Sequence, residues 1–441
     1  MVGRVGPDEL TLTPVARFPN GPFTRPDGHL HWNYGELAGA VHRGLDALAA
    51  STTLASVGID SWAVDYGLLD ATGELLDEPF HYRDERTAAG VHSVHALVPF
   101  EQLYRRNGLQ FLPFNTLYQY AADAQLGRAQ LALLIPDLIA HGLTGRAVAE
   151  RTNASTTGLL NVTTGEWDDT LIETLGLPRH LFPALVNPGE LIGPWRDGVN
   201  VVAVGSHDTA SAVVAVPATD RDFAYISCGT WGLVGVETDR PVLTDDARAA
   251  NFTNEGGVDG CVRFLHNVMG LWLLNETLAE WGVGSVSEMQ EILDAAALVP
   301  GPVPTFDPNS PAFVTPGPMQ GRIESWLREH EQPVPASRPA LVRTILESLA
   351  EAFATAVVDA SRLSGTSVRV IHLVGGGSQN ELLCQLTADR SGLPVLAGPV
   401  EATALGNVLV QGRAHGAIDG SLEHLRALVA RTFEPKRYDP R

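Results

Sequence analysis

A strand that opens onto a polar turn occurs once in each half of the chain, with a similar layout both times. The apolar run 54–59 leads into the turn 60–63 and then into a second apolar run. The β-branched run 199–204 leads into the turn 205–208 and then into a helical pattern. Strands that alternate with helical segments indicate an α/β fold. The repeated layout further predicts two halves of similar construction.

Other segments give the coarse order of elements. A Gly- and Pro-rich stretch at 187–200 predicts a domain boundary, with domains 1–197 and 198–441. Seven prolines between Pro300 and Pro318 predict a surface loop without regular structure. A hairpin is predicted at 223–227 and 232–237, and a further strand at 370–374. Apolar periodicity predicts helices over 37–50, 116–126, 267–281, 341–363 and 379–391.

Charge excludes several classes of partner. The 441 residues include 30 Lys and Arg against 51 Asp and Glu, a formal net charge of -21. Binding to nucleic acid or to an anionic membrane needs clustered basic residues, so neither is expected. Lysine occurs once, at Lys436, which excludes mechanisms built on an interior lysine, such as a Walker phosphate loop. Phosphate chemistry must therefore use arginine, a metal ion or backbone amides.

The cellular compartment is predicted from three further features. The three cysteines have neither disulfide nor metal-ligand spacing. The first twenty residues lack a secretion signal, and no apolar run approaches the roughly 18 residues that span a bilayer. We therefore expect a cytoplasmic protein.

Three turns carry residues suited to chemistry. Asp208 follows an apolar run that is expected to be a buried strand, and it begins a helical pattern. A negative charge is favoured at a helix start, and an ionised carboxylate there can accept a proton from a hydroxyl group. The alternative is that Asp208 only caps the helix. The turn 60–65 combines two acids and an indole, which suits a polyol. The glycines 375–377 let a ligand lie against the backbone before a helix. Asn380 occupies the third glycine position of a dinucleotide fingerprint, so that motif fails.

The order of these segments resembles that of the FGGY carbohydrate kinases. The resemblance extends from about residue 56 to 411 and covers nearly the whole chain. Its most specific part is SHDTASAVVA with the following SCGTWGL. The other matching stretches are GIDSWAVDYGLLD, YRDERT, GLQFLPFNTLYQ, NFTNEGG, NVMGLWLLNE, LVGGGSQNELLCQLTAD and GPVEATALGN.

The resemblance implies a fold and a reaction. The fold is two actin-like, ribonuclease H-like lobes of the hexokinase and actin architecture, each with a five-stranded mixed sheet, closing over sugar and ATP. The reaction is transfer of the ATP γ-phosphoryl group to L-rhamnulose, giving L-rhamnulose 1-phosphate, with Mg²⁺. The protein would be a monomer or a homodimer.

The resemblance also implies roles for individual residues. Asp208 is expected to be the catalytic base and to contact magnesium through water, with His207 and Thr209 against the substrate. Ala63 matches a sugar-contacting position, and Trp62, Asp65 and Asn115 are further expected residues of the sugar pocket. The expected nucleotide contacts are Gly3, Arg4, Thr230, Asn267, Asn275, Gly375, Gly376 and Gly377.

One departure from the family concerns the first residues. Family members begin with a strand, an Asp-Leu-Gly sequence and a phosphate loop that ends in Gly-Arg, and only Gly3 and Arg4 of this loop are present. We expect the true start to lie upstream. The alternative is an impaired relative that binds sugar or nucleotide without efficient turnover. A third hypothesis is a kinase for another ketose, such as L-fuculose or a pentulose, because the residue types alone do not give the dimensions of the sugar pocket.

Overall fold

The structure is a computed structural model that describes residues 1–196 and 198–441. Asp197, the last residue of the predicted first domain, lies outside the described residues. The strands are β1 (Val2–Gly6), β2 (Glu9–Thr13), β3 (Pro22–Thr24), β4 (Leu30–Trp32), β5 (Ser56–Gly58), β6 (Tyr66–Leu69), β7 (Leu131–Leu134), β8 (Ala149–Glu150), β9 (Leu160–Asn161), β10 (Glu166–Trp167), β11 (Leu185–Val186), β12 (Leu191–Arg196), β13 (Val199–Val202), β14 (Phe223–Cys228), β15 (Trp231–Thr238), β16 (Thr253–Gly256), β17 (Val262–Met269), β18 (Val370–Val374), β19 (Val395–Ala397) and β20 (Lys436–Tyr438).

The helices alternate with these strands along the chain. They are α1 (Tyr34–Ser51), α2 (Thr87–Leu97), α3 (Phe100–Asn107), α4 (Thr116–Ala121), α5 (Ile135–Thr144), α6 (Arg151–Ala154), α7 (Asp169–Thr174), α8 (Asp208–Val214), α9 (Asp245–Ala249), α10 (Trp272–Glu280), α11 (Val286–Ala297), α12 (Met319–Glu329), α13 (Arg338–Ser364), α14 (Glu381–Ser391), α15 (Ala402–Ala414) and α16 (Leu422–Thr432). The α/β class predicted from the sequence is confirmed.

The chain forms two compact units, each assembled from three segments. The first comprises Met1–Ala215, Thr238–Phe264 and Ala402–Thr432, and the second comprises Val216–Glu237, Leu265–Glu401 and Phe433–Arg441. The predicted division into domains 1–197 and 198–441 stays a prediction. Helix α15 packs closely on α8, which brings a C-terminal segment back to the first unit.

The first unit contains a small mixed sheet and several two-stranded pairs. Strand β13 pairs antiparallel with β12 and parallel with β5. In α1, Leu37, Val41 and Leu45 recur every four residues, so one helix face packs on the core that contains Val57 and Val201. The two-stranded pairs are β1 with β2, β3 with β4, β6 with β7, β8 with β11, and β9 with β10.

The second unit is organised around a larger mixed sheet. Part of this sheet has the strand order β17-β15-β14-β18-β19-β20. Strands β14 and β15 form the predicted antiparallel hairpin, and β14 lies parallel to β18. Helix α13 begins after its N-cap Ser337 and ends at Gly365, whose φ of 75° suits a left-handed C-cap.

Some predicted elements differ from the structure. The helix predicted over 267–281 is wrong at its start, because β17 continues to Met269 and α10 begins at Trp272. The proline-rich segment is confirmed as irregular between Pro300 and Pro318, apart from a short 3₁₀ turn at Pro311–Phe313. In the described residues, no helix combines the length and the apolar character that a membrane span requires.

Candidate active site

The loop that precedes α8 is fixed from two sides within the first unit. The buried carboxylate of Glu150 accepts hydrogen bonds from the Ser206 backbone N–H at 3.0 Å and from its hydroxyl at 2.8 Å. Ser61 forms an isolated parallel bridge with His207, and its carbonyl accepts from the Asp208 N–H at 2.9 Å. The structure therefore brings together the turn 60–65 and the loop 205–208, which the sequence presented separately.

The Asp208 carboxylate has two different oxygens. Its Oδ1 accepts from the Thr209 N–H at 2.6 Å and from the Thr209 hydroxyl at 3.2 Å. The ring nitrogen Nε2 of His207 lies 3.4 Å from the same oxygen. Within the described part of the chain, no hydrogen bond to Oδ2 is seen, and the side chain is 45% exposed. Oδ2 can therefore accept a proton from a bound hydroxyl while Oδ1 holds the group in place.

A buried ion pair lies behind His207. Arg263 on β17 is fully buried, and its Nη2 lies 3.1 Å from Glu255 Oε2 on β16 and 3.1 Å from His207 Nδ1. The distance from His207 Nδ1 to Glu255 Oε2 is 3.2 Å. Burial acts to raise the pKa of Glu255, but the contact with His207 and the charge of Arg263 hold it below its ordinary value. Glu255 is therefore the counter-ion of Arg263 at neutral pH.

A second acid lies near Asp208. Asp60 follows β5, and its carboxylate accepts a hydrogen bond from the side-chain amide of Asn407 on α15. Burial raises the pKa of Asp60 to about 6, against the Asn407 hydrogen bond, and the charge of Asp208 adds to the rise. Asp60 therefore lies close enough to Asp208 for the Asp208 charge to act on it.

Trp62 belongs to a row of aromatic rings that a buried carboxylate holds. We call this set the aromatic row: Trp32, Trp62, His81, Tyr82 and Phe114, whose successive ring centroids are separated by 4.3 Å for Trp32 and Trp62, 4.4 Å for Trp32 and His81, 4.5 Å for His81 and Tyr82, and 5.2 Å for Tyr82 and Phe114. The indole N–H groups of Trp32 and Trp62 both donate to Asp65 Oδ2, at 2.6 and 3.0 Å. Gln119 donates to Asp65 Oδ1 at 3.1 Å. Asp65 is thus fully buried, and it holds the aromatic row in place through its hydrogen bonds with the indoles of Trp32 and Trp62.

The backbone beside Ala63 is strained. Val64 has a φ of 67°, a conformation that a β-branched residue rarely adopts. Its carbonyl accepts from the Thr116 hydroxyl at 2.9 Å and from the Gln119 amide at 3.1 Å, which holds the turn. Asn115 precedes α4, is buried, and donates its side-chain amide to the carbonyl of Gln110 at 2.9 Å. These contacts hold the turn that carries Trp62 and Ala63 against the start of α4, which Asn115 precedes.

The predicted phosphate turn of the second unit lies at the β14–β15 hairpin. Gly229 and Thr230 are exposed there, and the carbonyl of Thr230 accepts from the Gly270 N–H at 3.1 Å. A Cβ on Gly270 would lie 2.5 Å from the backbone of Trp231, so only glycine fits this approach. Beyond it, Asn275 is exposed on α10, and Asn267 is half-buried on β17.

The glycine turn after β18 contacts the same hairpin. A Cβ on Gly377 would lie 2.4 Å from Cys228 Sγ, whereas a Cβ on Gly376 would meet open space. Gly375 has a φ of 83°. Gly376 is therefore the exposed member of the three, available for a ligand to lie against. Burial raises the pKa of the Cys228 thiol to about 12, so this cysteine is not a nucleophile at neutral pH.

The two N-terminal residues expected at the nucleotide lie on β1 in the first unit. Gly3 packs against α15, where an added Cβ would lie 2.4 Å from a methyl group of Val408. Arg4 is exposed. Their expected contact with nucleotide stays a prediction.

The sequence did not identify several residues that form this site. Glu150, Glu255 and Arg263 hold the Asp208 loop, yet each is a single charged residue in an ordinary strand segment. The only available signal was that charged residues are rarely buried without a partner, and burial is not readable from one sequence. Asn407 and Asp60 meet only because α15 returns to the first unit.

Comparison with known proteins agrees with this geometry. The N-terminal domain model of the FGGY family of carbohydrate kinases matches residues 24–217, and the C-terminal domain model matches residues 224–415. A protein named rhamnulokinase from Pectobacterium carotovorum is 43% identical over 98% of this chain and 88% of its own length. Another of that name, from Klebsiella pneumoniae, is 43% identical over 92% of this chain and 84% of its own length.

Solved structures show the same fold at lower identity. A ligand-bound xylulose kinase from Lactobacillus acidophilus has a TM-score of 0.77 and 19% identity, covering 99% of this chain and 90% of its own. The glycerol kinase of Plasmodium falciparum with ADP has a TM-score of 0.72 and 16% identity, covering 96% and 88%. The matched domain models and the full-length similarity establish that the chain belongs to the FGGY family of carbohydrate kinases.

Proposed function

We propose that this carbohydrate kinase transfers the γ-phosphoryl group of ATP to O1 of L-rhamnulose and releases L-rhamnulose 1-phosphate, a step in L-rhamnose breakdown. The observation that carries the proposal is the Asp208 carboxylate, with Oδ1 held by Thr209 and Oδ2 available, in a chain 43% identical over 98% of its length to a protein named rhamnulokinase. Both the reactive group and its surroundings support this reading.

Asp208 would act by aiming the attacking hydroxyl. Phosphoryl transfer has a loose transition state, so the main tasks are positioning and charge stabilisation. The sugar hydroxyl donates its hydrogen bond to Oδ2 and passes its proton there as its oxygen bonds to the γ-phosphorus and the bond from that phosphorus to the β–γ bridging oxygen breaks, which releases ADP. Because Thr209 fixes Oδ1, the carboxylate does not need to reorient during this step.

The aromatic row supports a deoxy sugar as the acceptor. L-rhamnulose carries an apolar methyl group at C6 and hydroxyls elsewhere. An indole edge and face give the methyl group an apolar contact, while Asp65 fixes Trp62 by a 3.0 Å hydrogen bond. His207 and Asn115 would bind hydroxyls on the polar side. A ketose without the methyl group would leave this contact unmade.

The second unit carries the groups expected at the nucleotide. Thr230, with a hydroxyl and exposed backbone, would hold the γ-phosphoryl group, and the open face of Gly376 would lie against adenosine. Asn267 and Asn275 would add contacts to the nucleotide. The N-terminal pair Gly3 and Arg4 completes the set that we assign to ATP.

The residues present fit a magnesium ion that arrives with the nucleotide. Among the described residues, no cluster of three or more acids, histidines or cysteines could hold a metal by itself. Magnesium usually binds phosphates and water with only one or two protein carboxylates, and Asp208 with its neighbour Asp60 supplies that number. We assign Asp208 as a contact through water. When bound, the ion would neutralise charge on the transferred group.

Substrate selection tests the proposal. ADP release is measured with MgATP and L-rhamnulose, L-fuculose, L-ribulose, D-xylulose and glycerol in parallel. We expect kcat/KM for L-rhamnulose to exceed that for L-ribulose, D-xylulose and glycerol, which lack the C6 methyl group, by at least about tenfold, since one methyl contact in an apolar pocket discriminates by 10-fold or more. L-fuculose keeps the methyl group, so its rate tests the hydroxyl contacts instead. Preference for another ketose would show that L-rhamnulose is the wrong substrate. A folded protein that binds sugar without turnover would contradict the proposed kinase activity.

A further inference from the structure

We infer that Gln119 and Arg86 are positioning residues for the sugar pocket: Arg86 orients the side-chain amide of Gln119, and this amide holds the turn that contains Trp62 and Ala63. The inference rests on the proposed function only in treating that turn as part of the sugar pocket. Neither residue was among those expected at the site. Both belong to the first unit, Gln119 on α4 and Arg86 immediately before α2.

The Gln119 amide joins two segments that lie far apart in the sequence. The side chain is buried, and its Nε2 donates to the Val64 carbonyl at 3.1 Å and to Asp65 Oδ1 at 3.1 Å. It also donates to the carbonyl of Phe114 at 2.9 Å. The first two acceptors belong to the turn 60–65, and the third lies two residues before α4. One amide therefore ties together the two segments that contain the expected sugar contacts of this unit.

The chemistry of the neighbours fixes which way the amide points. The three oxygens at Nε2 are two carbonyls and a carboxylate, all of which accept hydrogen bonds. On the other side, Gln119 Oε1 lies 3.2 Å from Arg86 Nη2, and a guanidinium group only donates. A rotated amide would place its oxygen against three oxygens and its N–H groups against those of Arg86. Only the orientation seen in the structure makes every contact attractive.

Arg86 is itself held in place, so it can fix this orientation. Its Nη1 donates to the backbone carbonyl of Gln119 at 2.9 Å, so the guanidinium group contacts both the backbone and the side chain of one residue. The guanidinium carbon lies 3.9 Å from the centroid of the Phe80 ring, and the Arg86 backbone N–H donates to Asp84 at 3.0 Å. A lysine ammonium group is a point charge and cannot reproduce the planar fork.

The consequence concerns the strained turn before Asp65. Val64 has a φ of 67°, and such a conformation persists only when the surrounding contacts hold it. Its carbonyl accepts from Thr116 and Gln119, and the neighbouring Asp65 accepts from the Trp62 indole at 3.0 Å. Without the Gln119 donor we expect this turn to relax and the Trp62 indole to lose its fixed position.

The first test reads the position of Trp62 without using activity. Protein labelled with ¹⁵N at tryptophan gives indole N–H signals, and the signal of Trp62 is assigned by its loss in Trp62→Phe. In Gln119→Met, which keeps the length of the side chain but neither donates nor accepts, we expect this signal to shift or broaden. The matched control is Gln290→Met, on the exposed face of α11, where the amide contacts Asp294. An unchanged Trp62 signal in folded Gln119→Met would overturn the inference.

The second test separates positioning from a purely structural role by kinetics, with the sugar that the wild type turns over best. In Gln119→Met we expect KM for this sugar to rise by about 10-fold to 100-fold, the size expected when buried hydrogen bonds that include a charged acceptor are lost. We expect kcat to change by less than about threefold and KM for MgATP by less than about twofold, since the lost contacts hold only the sugar pocket. Gln290→Met should match the wild type. A lower kcat with an unchanged KM for the sugar would overturn the inference.

Arg86→Lys covers the case in which Gln119→Met does not fold. We expect KM for the sugar to rise by about threefold to tenfold, because lysine keeps the charge but loses the fork. The control is Arg328→Lys, which alters an exposed ion pair with Glu324 and should leave KM unchanged. A KM for Arg86→Lys equal to that of the control would overturn the inference.

A double variant tests whether Arg86 acts through Gln119. When Gln119 is already methionine, Arg86→Lys should change KM by less than about twofold, because no amide is left to orient. Increases that multiply would show that the two residues act independently, and would overturn the inference. Failure of the proposed function is distinct, since the wild type would then turn over no sugar, and the Trp62 signal would still decide the positioning role.

Discussion

At the scale of single residues, Asp208 differs from an ordinary helix-capping aspartate by what its two oxygens contact. A cap uses its carboxylate to accept from the second or third helical N–H. Here Oδ1 accepts from the adjacent Thr209, while the N-cap position belongs to His207, whose side chain makes no cap hydrogen bond. The side chain is thereby spared for chemistry.

Asp208→Asn tests this assignment. The amide keeps the shape of the side chain but cannot accept the hydroxyl proton, so we expect kcat to fall by about 10²-fold to 10⁴-fold. Sugar affinity measured by calorimetry should change by less than about threefold. A variant that keeps the wild-type rate would remove Asp208 as the base.

Asp65→Asn tests the carboxylate behind the aromatic row. The amide oxygen can still accept from the indoles, but the amide nitrogen then faces the Gln119 donor. We expect the free energy of unfolding to fall by about 1–3 kcal/mol, the cost of a buried group left without its partner. We also expect a higher KM for the sugar with little change in kcat.

Urea unfolding and initial rates measure both effects, and Asp46→Asn on the exposed face of α1 is the control. Asp46 contacts only the exposed Arg196 in the described structure, so its loss should shift stability by at most about 1 kcal/mol. Equal losses in the two variants would mean that Asp65 has no special role.

Asp137→Asn tests a buried acid that the site does not use. Asp137 Oδ1 accepts from the Glu150 N–H at 3.2 Å, and within the described residues its Oδ2 has no partner. Burial, with the charge of Glu150, raises the pKa of Asp137 well above its ordinary value. In the folded state Asp137 therefore keeps a proton that the unfolded state releases above about pH 4. This release favours the unfolded state, so the free energy of unfolding falls as pH rises.

The asparagine variant should escape that loss. We expect its stability relative to the wild type to increase between about pH 4 and pH 7, because asparagine does not ionise. Asp8→Asn, in the exposed turn between β1 and β2, is the control and should show no such trend. Parallel pH profiles for wild type and Asp137→Asn would contradict the account.

Much of the site could be predicted at this scale, and the limit has a physical cause. Asp208, the turn with Trp62 and the glycines 375–377 carry local signals, because helix starts and tight turns favour particular residue types. No such local signal marks Glu150, Glu255 or Arg263. Their roles depend on burial and on partners 8 or 56 residues away in sequence, which a single chain does not record.

At the scale of elements, the packing of α8 against α15 supports the Asp208 loop from behind. A Cβ on Gly406 would lie 1.8 Å from the carbonyl oxygen of Ser211, closer than any real contact. The helices therefore approach closely because residue 406 has no side chain. Sequence periodicity indicated α13 and α14 well but gave no sign of this crossing.

Gly406→Ala tests the close approach. The added methyl must displace backbone, so we expect a loss of about 1–3 kcal/mol, typical of overpacking, together with reduced kcat. Gly142→Ala in α5 is the matched control, since its Cβ meets open space and alanine favours a helix by about 1 kcal/mol. Thermal unfolding distinguishes them: destabilisation of both variants, or of neither, would contradict the packing argument.

The start of α10 shows why one element was placed wrongly. Residues 267–269 match a helical pattern but continue β17 in the structure. Gly270 then packs closely on the Trp231 backbone, since a Cβ added to it would lie only 2.5 Å away. The helix begins only at Trp272. Pairing with a distant strand thus overrides local preference.

At the scale of the whole molecule, each unit is assembled from segments that are far apart in sequence. The α/β class was predictable because it depends on local periodicity. The composition of the units was not, because residues 402–432 join the first unit through long-range packing. The chain has 51 acidic and 30 basic residues, and this negative charge agrees with a small-molecule substrate rather than a nucleic acid.

The identity of the product tests the central claim most directly. Purified protein is incubated with MgATP and L-rhamnulose, and the reaction is followed by ³¹P NMR with proton coupling. O1 of the ketose is on a CH₂ group, so the account predicts a new phosphomonoester signal split into a triplet, formed by the wild type and not by Asp208→Asn. A doublet, which reports phosphorylation on a secondary carbon, or ADP with inorganic phosphate alone, would contradict the account.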